Sequence, residues 1–172
     1  LTNGGTGTFS SGDSNSQSGG SSTGETTSSG LTSGFEKAEG FTAASYTETE
    51  NNGWKLYGSI ATGAKISGSY GVTLNGKLRY ARTPKVTNPK TVTFKGKASG
   101  STSVYTVDLQ YSSDGVNWTS VSSYNANKTS GTVTTTAKSY TKTLNLTGSY
   151  YLRWYVSSRS AGSFYLDDVV IN

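Results

Sequence analysis

The side chains available for chemistry in this 172-residue chain are carboxylates, lysines, arginines, tyrosines and hydroxyls, because histidine, cysteine and methionine are all absent. Without imidazole or thiol the chain has no Ser-His-Asp or Cys-His triad, no zinc finger and no disulfide. The spacing of the remaining carboxylates, lysines, tyrosines and serines points to no catalytic site. The composition therefore predicts a protein that holds or links other molecules and is not an enzyme.

Aromatic side chains form one candidate binding set. Tyrosine occurs 12 times and tryptophan three times, and exposed rings can stack on the apolar face of a sugar. The candidate rings are Trp54, Tyr57, Tyr80, Tyr151 and Tyr155, and the predicted carbohydrate-binding set also includes Arg82. The alternative is that these rings pack within strands, where aromatic residues are favoured. Trp154 is a weaker candidate, because it lies on the apolar face of its predicted strand.

Positive charge is concentrated in the middle of the chain, where nine Lys or Arg and no acidic residue lie between Asn51 and Val107. Seven of them fall within 21 residues: Lys77, Arg79, Arg82, Lys85, Lys90, Lys95 and Lys97. Such a stretch could attract nucleic acid or an acidic polysaccharide. We favour the alternative that these charges protect strand edges from unwanted pairing. Nucleic acid is disfavoured, since only Tyr80 and Phe94 interleave with the basic residues.

The elements that must position these residues are strands. From Phe35 onward apolar residues recur with a period of two, most clearly in Val104–Tyr111 and Tyr150–Val156, and this period is typical of β-strands. The polar face of the second run carries Tyr151, Arg153 and Tyr155. About nine such runs, separated by turn residues, predict an all-β, two-sheet antiparallel β-sandwich. Asn75-Gly76 between two runs is the strongest hairpin signal.

The first 34 residues differ from the rest, because 17 of them are Ser or Thr and nine are Gly. A segment of this composition cannot offset its own chain entropy by burying apolar surface. We therefore predict two parts: an extended linker or docking segment, residues 1–34, and a β-sandwich domain, residues 35–172. Docking of the segment on a neighbouring copy is one way to order it. No apolar run is long enough to cross a membrane.

Three stretches carry a resemblance to a known group of proteins. They are an opening Phe-Glu…Gly-Phe at residues 35–41, a central Tyr-Ser-Ser-Asp-Gly-Val-Asn-Trp at residues 111–118, and a closing pair at residues 151–154 and 165–171 that reads Tyr-Leu-Arg-Trp and Tyr-Leu-Asp-Asp-Val-Val-Ile. Over residues 34–172 the chain resembles the jelly-roll, galactose-binding-like modules of bacterial (Bacteroidetes-type) surface and secreted proteins, which include the MAM-like and choice-of-anchor J groups. Such modules accompany adhesins, peptidases, glycosidases and nucleases without performing their chemistry. The resemblance also implies a buried ring at Trp118.

The resemblance further implies a metal site. In jelly-roll modules of this type a glutamate near the first strand and an aspartate on the last strand share a structural Ca²⁺, and the matching residues here are Glu36, Asp167 and Asp168. The apolar phase of the last strand slips at the two aspartates, which predicts a β-bulge there. The alternative is a charged bulge paired with Lys37 or Arg153. No other cofactor is expected.

Together these observations predict a non-catalytic extracellular, secreted attachment or structural module. In the leading hypothesis it is a subunit or repeat of a cell-surface fibre or adhesin, whose N-terminal segment docks on a neighbour. Its partners would then be other copies of itself or a parent multidomain protein. One alternative is a carbohydrate-binding module appended to a secreted hydrolase, with polysaccharide as partner. Another is an accessory domain of a secreted nuclease.

Overall fold

A computed structural model describes residues 28–42 and 47–172. These residues form fourteen strands and two short 3₁₀ turns, Lys37–Glu39 and Thr62–Ala64. In chain order the strands are β1 (Leu31–Ser33), β2 (Thr49–Asn51), β3 (Trp54–Tyr57), β4 (Ser59–Ala61), β5 (Gly71–Leu74), β6 (Tyr80–Arg82), β7 (Val86–Thr87), β8 (Thr91–Ala98), β9 (Val104–Ser112), β10 (Thr119–Asn127), β11 (Ser130–Gly131), β12 (Lys138–Thr143), β13 (Ser149–Ala161) and β14 (Phe164–Ile171). The predicted all-β class is confirmed. No helix in the described part of the chain is both long and apolar enough to span a bilayer.

The strands are arranged in two antiparallel sheets. The larger sheet has the order β11-β10-β9-β13-β6-β3-β2, and β7 also pairs with β13. The smaller sheet has the order β12-β8-β14-β5-β4, and β1 pairs with β14. Every pair of neighbouring strands in the two sheets is antiparallel. The predicted two-sheet sandwich is therefore confirmed.

The core lies between the inner faces of the two sheets, and strand alternation fills it. On β13 Leu152 and Trp154 are fully buried, and on β9 Val107 and Leu109 are fully buried, as the period of two predicts. Trp54 of β3 stacks on Trp154 with ring centroids 6.2 Å apart. Because each inward side chain alternates with an outward one, the same register that builds the core also fixes the residues on the outer face.

The first described strand, β1, joins the smaller sheet by pairing with β14, the last strand of the chain. In β1, Leu31 lies opposite Ile171 and Ser33 lies opposite Val169. The sandwich thus begins before residue 35, the predicted start of the domain. Residues 1–27, most of the predicted linker or docking segment, lie outside the described residues.

The hairpin predicted at Asn75-Gly76 is wrong. Strand β5 pairs with β14 and β4 in the smaller sheet, whereas β6 pairs with β13 and β3 in the larger sheet. A two-residue type I′ hairpin needs positive φ at both turn residues, and the positive-φ residue of this connection is Leu78, with φ 69°. The segment is therefore a crossing between sheets, and long-range pairing of both strands overrides the local turn signal.

The predicted bulge on the last strand is confirmed. The register of β14 against β8 shifts between Asp167 and Val170. Asp168 lies in this shift with φ 46°, a left-handed conformation that Asp tolerates better than most residues. The bulge turns the two aspartates toward different partners.

Candidate functional site

The outer face of the larger sheet places polar and charged residues in a cross-strand row. Arg153 of β13 lies opposite Gln110 of β9 on one side and opposite Arg82 of β6 on the other. Arg82 in turn lies opposite Lys55 of β3. Directly opposite residues have Cβ atoms about 4.5–5.5 Å apart. Three cationic side chains from three strands therefore stand side by side on one surface.

A second row, two residues along each strand, is aromatic. Tyr155 of β13 lies opposite Tyr80 of β6, and Tyr80 lies opposite Tyr57 of β3. The rings of Tyr57 and Tyr80 meet edge to face with centroids 6.1 Å apart. The guanidinium of Arg79 lies 3.9 Å from the centre of the Tyr57 ring. The outer face thus carries aromatic rings next to fixed cations.

An open cleft of about 410 Å³ lies where these rows meet the loop that follows β9. Its lining comes from the two rows, from the chain just before β2 and from the loop: Glu48, Lys55, Tyr80, Arg82, Gly115, Val116, Trp118 and Arg153. Val116 is 77% exposed at the rim, an unusual exposure for an apolar side chain. The cleft combines an aromatic wall, an apolar rim and a cationic floor.

The loop that forms one wall is held by Asp114. Its Oδ1 accepts the backbone N–H groups of Val116 and Asn117, each at 2.8 Å, and its Oδ2 accepts the Asn117 side-chain amide at 2.7 Å. The N–H of Val116 and the Asn117 amide hold the pKa of Asp114 well below its ordinary value. Trp118 closes the loop by donating its indole N–H to the Gly115 carbonyl at 3.2 Å. The loop therefore holds Val116 at the rim of the cleft and the ring of Trp118 in one fixed arrangement.

Arg153 is held by two aromatic rings and by Gln110. Its guanidinium carbon lies 3.9 Å from the ring centroid of Trp118 and 4.3 Å from that of Tyr155. Its Nε donates to Gln110 Oε1 at 2.7 Å, and Gln110 donates its amide to Ser120 Oγ at 3.0 Å. Burial lowers the pKa of Arg153, yet a guanidinium stays charged at neutral pH. Gln110 acts here as a positioning residue for this cation.

Arg82 stands beside Arg153 with fewer partners. Its guanidinium carbon lies 4.3 Å from the ring centroid of Tyr151. Its Nε is buried and has no hydrogen-bond partner among the described residues. Within residues 28–42 and 47–172, neither Arg82 nor Arg153 has a carboxylate at ion-pair distance. The cleft floor therefore holds two guanidinium groups that form no ion pair with a described residue.

Among the described residues Glu48 is the one carboxylate that lines the cleft, and donors other than the arginines hold it. The Tyr80 hydroxyl donates a short hydrogen bond to Glu48, and Lys55 Nζ lies 2.9 Å from Glu48 Oε2. The hydrogen bonds from Tyr80 and Lys55 lower the pKa of Glu48. Burial, followed by the bond to Glu48, raises the pKa of Tyr80. The Tyr80 hydroxyl and the Lys55 ammonium are thus both engaged with a carboxylate of the same chain.

The predicted carbohydrate set is only partly placed in this cleft. Tyr80 and Arg82 line it, and Tyr57 is their neighbour in the aromatic row. Trp54 is only 1% exposed and lies in the core, so its prediction as an exposed platform is wrong. Tyr151, 7% exposed, is likewise too buried to stack on a ligand. Trp54 faces inward because it alternates with Lys55 on β3, and that pattern is visible in the sequence.

Six of the eight residues that line the cleft are absent from the predicted binding sets, and Trp118 and Arg153 are the two that matter most for binding. The family resemblance implies a buried Trp118, but its side chain is half-buried and borders the cleft. Arg153 is predicted only as a partner for the charged bulge. The sequence signal for Arg153 is its place between Tyr151 and Tyr155 on the polar face of β13. The position of Trp118 has no such signal, because it lies just outside a strand.

The seven residues of the basic stretch do not form one surface. Arg82 lies on β6 in the larger sheet, whereas Lys95 and Lys97 lie on β8 in the smaller sheet. Lys95 Nζ forms an ion pair with Asp168 at 2.8 Å, and Lys97 Nζ donates to the Lys65 carbonyl at 2.9 Å. Lys77 and Arg79 lie in the β5–β6 connection, and Lys85 and Lys90 flank β7. Edge protection is wrong for Arg82, Lys95 and Lys97, because β6 and β8 each have neighbours on both sides.

Two of the carboxylates predicted to bind calcium accept backbone N–H groups instead. Glu36 Oε1 accepts the N–H groups of residues 69–70, at 2.7 and 3.2 Å. Asp167 Oδ2 accepts those of residues 66–67, at 2.8 and 3.0 Å, and its Oδ1 accepts that of Asp168 at 2.8 Å. Asp167 is fully buried, and this burial raises its pKa. The two carboxylates pin one loop to the end of the sandwich.

Asp168, the third predicted ligand, is held by side-chain donors. Its Oδ2 accepts the Ser67 hydroxyl at 2.5 Å and the Lys95 ammonium at 2.8 Å. Across the described residues, no group of three or more acidic side chains is placed to hold a metal ion. A Ca²⁺ site presents oxygen atoms to the ion, and the neighbours of these oxygens are donors. In this arrangement the residues do not fit Ca²⁺. The partner of the charged bulge is Lys95, whereas Lys37 or Arg153 was predicted.

Comparison with known proteins identifies solved structures of the same fold but no matching family. No protein family and no curated protein matches the chain. Among solved structures, the K2 cleaved adhesin domain of Lys-gingipain superposes with a TM-score of 0.61 at 16% identity, covering 83% of this chain and 99% of that one. The K1 cleaved adhesin domain of Lys-gingipain from Porphyromonas gingivalis gives 0.59 at 20% identity, covering 83% and 97%.

A carbohydrate-binding module has the same fold. TmCBM61, solved in complex with β-1,4-galactotriose, superposes with a TM-score of 0.50 at 15% identity, covering 81% of this chain and 97% of that one. At these identities the likeness concerns the fold alone. It fits the jelly-roll, galactose-binding-like architecture implied by the sequence motifs, and it does not choose between the MAM-like and choice-of-anchor J groups.

Proposed function

We propose that this chain is a non-catalytic, extracellular binding module that holds a glycan chain on the outer face of its larger sheet. The observation that carries the proposal is the open cleft bordered by half-buried Trp118 and Tyr80 and floored by guanidinium donors. A sugar ring offers an apolar face and a rim of hydroxyls. Aromatic rings with fixed polar donors beside them match both parts of that surface.

The rigidity of the cleft supports the same function. Asp114 fixes the loop that carries Trp118, and Gln110 fixes the guanidinium of Arg153. Binding therefore requires little ordering of side chains, which is a main cost of association. Val116 at the rim adds exposed apolar surface where a bound chain would pass. None of these features needs a catalytic group.

The structural neighbours support binding and attachment. TmCBM61 was solved with a galactotriose, and the gingipain neighbours are adhesin domains. Glycan binding is one means by which a secreted attachment module reaches a surface, so the two hypotheses are compatible. Assembly through residues 1–34 stays a prediction. A nuclease accessory role is less supported, because the basic stretch is divided between the two sheets.

The test is affinity electrophoresis of the purified chain in gels that contain one polysaccharide each, from a panel of neutral and acidic plant and bacterial glycans. We expect retardation by at least one polymer, and loss of retardation in Trp118→Ala. The matched control is Tyr165→Ala, because Tyr165 carries a comparable cation–aromatic contact, with Lys97 at 5.7 Å, in the other sheet. Equal retardation of the wild type and Trp118→Ala, or no retardation by any polymer, would overturn the proposal.

A further inference from the structure

We infer that the glycan held in this cleft is acidic, and that its carboxylate or sulfate groups pair with Arg82 and Arg153. This inference rests on the proposed glycan-binding function and specifies the substrate class. The starting observation is that two adjacent guanidinium groups line an open cleft without a carboxylate partner among the described residues. Partial removal of water from two like charges costs free energy, which a bound anion offsets.

The geometry of the pair suits an oxyanion. Arg82 and Arg153 are direct cross-strand partners, so their guanidinium groups start from neighbouring positions on one face. A guanidinium presents N–H donors in a planar fork that matches carboxylate or sulfate oxygens in pairs. In both residues the terminal nitrogens make no hydrogen bond with any described residue, whereas Arg153 Nε is engaged by Gln110. The free edges of both forks are therefore left for a ligand.

The described carboxylates nearest the floor are held by groups other than the two arginines. Glu48 could have neutralised the floor, but its carboxylate is held by Tyr80 and Lys55. In the loop that forms the wall, the Asp114 carboxylate accepts hydrogen bonds from backbone N–H groups of the same loop. Glu48 and Asp114 are thus engaged with other groups, and Glu50 lies opposite Lys55 at the end of the cationic row. Neither Arg82 nor Arg153 forms an ion pair with a described carboxylate.

A sugar acid fits better than nucleic acid. Strong binding of nucleic acid requires many phosphate contacts spread along the backbone, and Lys95 and Lys97, which could have extended the site, lie on the opposite sheet. The stacking surface is limited to Trp118 and the Tyr80 row, beside a cleft rather than along a channel. A saccharide carrying one anionic group per one or two rings would place its charge over the arginines and its apolar face against the part of the aromatic wall that Arg153 does not cover.

The experiment compares acidic polymers with their neutral counterparts. The carboxylate arm uses polygalacturonate and the carboxyl-reduced galactan prepared from it. The sulfate arm uses chondroitin sulfate and its desulfated form, which retains the uronate. Binding is measured by calorimetry with the full chain at about 50 mM and about 300 mM salt, and a DNA duplex serves as the alternative polyanion. We expect about tenfold to hundredfold weaker binding to the less charged form in at least one arm.

The variants assign that preference to the two arginines. Arg153→Met and Arg82→Met should each bring the affinity for the acidic polymer down to that for its less charged counterpart. Arg159→Met is the matched control: it lies on the same strand, donates to the Gly162 carbonyl and is outside the cleft, so it should bind as wild type. Glu48→Gln, which removes a negative charge from the wall, should bind the acidic polymer more tightly. Circular dichroism and thermal melting confirm that each variant folds.

The outcomes separate the two proposals. Equal affinity for acidic and neutral polymers, with both lost in Trp118→Ala, would overturn the acidic preference and leave glycan binding intact. No binding to any polymer would overturn both. Binding of the DNA duplex as tightly as the acidic glycan, with Arg153→Met unchanged, would also reject this inference in favour of general polyanion attraction.

Discussion

The guanidinium of Arg153 lies against the indole of Trp118, with its central carbon 3.9 Å from the ring centroid. The contact joins β13 to a loop about 35 residues away in the chain. The guanidinium covers one face of the ring. Trp118 is the only one of the three tryptophans that is not buried, since Trp54 and Trp154 are 1% and 0% exposed. Trp118 is therefore a natural optical reporter of the cleft.

Removing this cation should expose the ring. In Arg153→Met we expect acrylamide to quench tryptophan emission more strongly than in wild type, because the planar cover of Trp118 is replaced by a flexible side chain. Trp118→Phe should remove the accessible component altogether, and Arg159→Met should leave it unchanged. Identical quenching of wild type and Arg153→Met would show that the stacking does not persist in solution.

Substitutions of Trp54 and Trp118 should have different effects: the first should lower the stability of the fold, and the second should abolish glycan binding. Trp54→Ala removes a core ring and should cost about 3–5 kcal/mol in the free energy of unfolding, measured by urea denaturation. Trp118→Ala should cost about 1 kcal/mol, typical of a single substitution, while losing glycan binding. Trp54→Phe is the milder variant if Trp54→Ala does not fold. A larger destabilisation by Trp118→Ala than by Trp54→Ala would contradict the assigned burial.

Position 96 needs a glycine because the ring of Phe164 packs closely against its backbone. A Cβ at this position would lie 2.7 Å from Phe164 Cε2 and 3.3 Å from Tyr140 Cε2, inside the packed core. Gly96→Ala should therefore destabilise the fold by about 1–3 kcal/mol through overpacking. Gly100→Ala is the control, because a Cβ there meets no atom within 4 Å. Equal melting temperatures for the two variants would be inconsistent with the packing of β8 against Phe164.

The ion pair at the bulge should make stability depend on pH. Partial burial alone would raise the pKa of Asp168, but hydrogen bonds from Lys95 and Ser67 outweigh it and hold the pKa below 3.8. Ionised Asp168 therefore stabilises the fold above its ordinary pKa, and this stabilisation is lost as the pH falls through the lowered value.

Asp168→Asn isolates this charge, because Asn also tolerates positive φ. The variant should melt below wild type at neutral pH, by a modest amount since the pair is partly exposed. The difference should shrink as the pH falls below 3.8. A difference that stays constant from neutral to strongly acidic pH would show that geometry, not charge, is what the substitution changes.

Calcium should not stabilise this arrangement. Glu36 and Asp167 accept backbone N–H groups, and Asp168 accepts an ammonium, so none of the three needs a cation. We expect the same melting temperature in EDTA and in excess Ca²⁺ (about 5 mM each), since a ligand that does not bind the native state does not stabilise it. A rise in the presence of Ca²⁺, abolished by Glu36→Gln, would restore the predicted calcium site.

The sequence by itself determined the class of the fold, because strand alternation is local. The faces of β9 and β13, and the bulge at Asp167, follow directly from which residues are apolar at every second position. The absence of histidine and cysteine likewise excludes whole classes of chemistry on composition alone. The inward position of Trp54 is also readable from its alternation with Lys55, so its prediction as an exposed platform conflicts with a local pattern.

Tertiary structure decided the cleft, because pairing partners are chosen by packing across the whole chain. Asn75-Gly76 has the local chemistry of a hairpin, yet β5 and β6 join different sheets. Arg82 and Arg153 are 71 positions apart in the chain and become neighbours only through the register of β6 against β13. Trp118 lies in the loop just before β10, so its place over Arg153 follows from the loop and the sheet together.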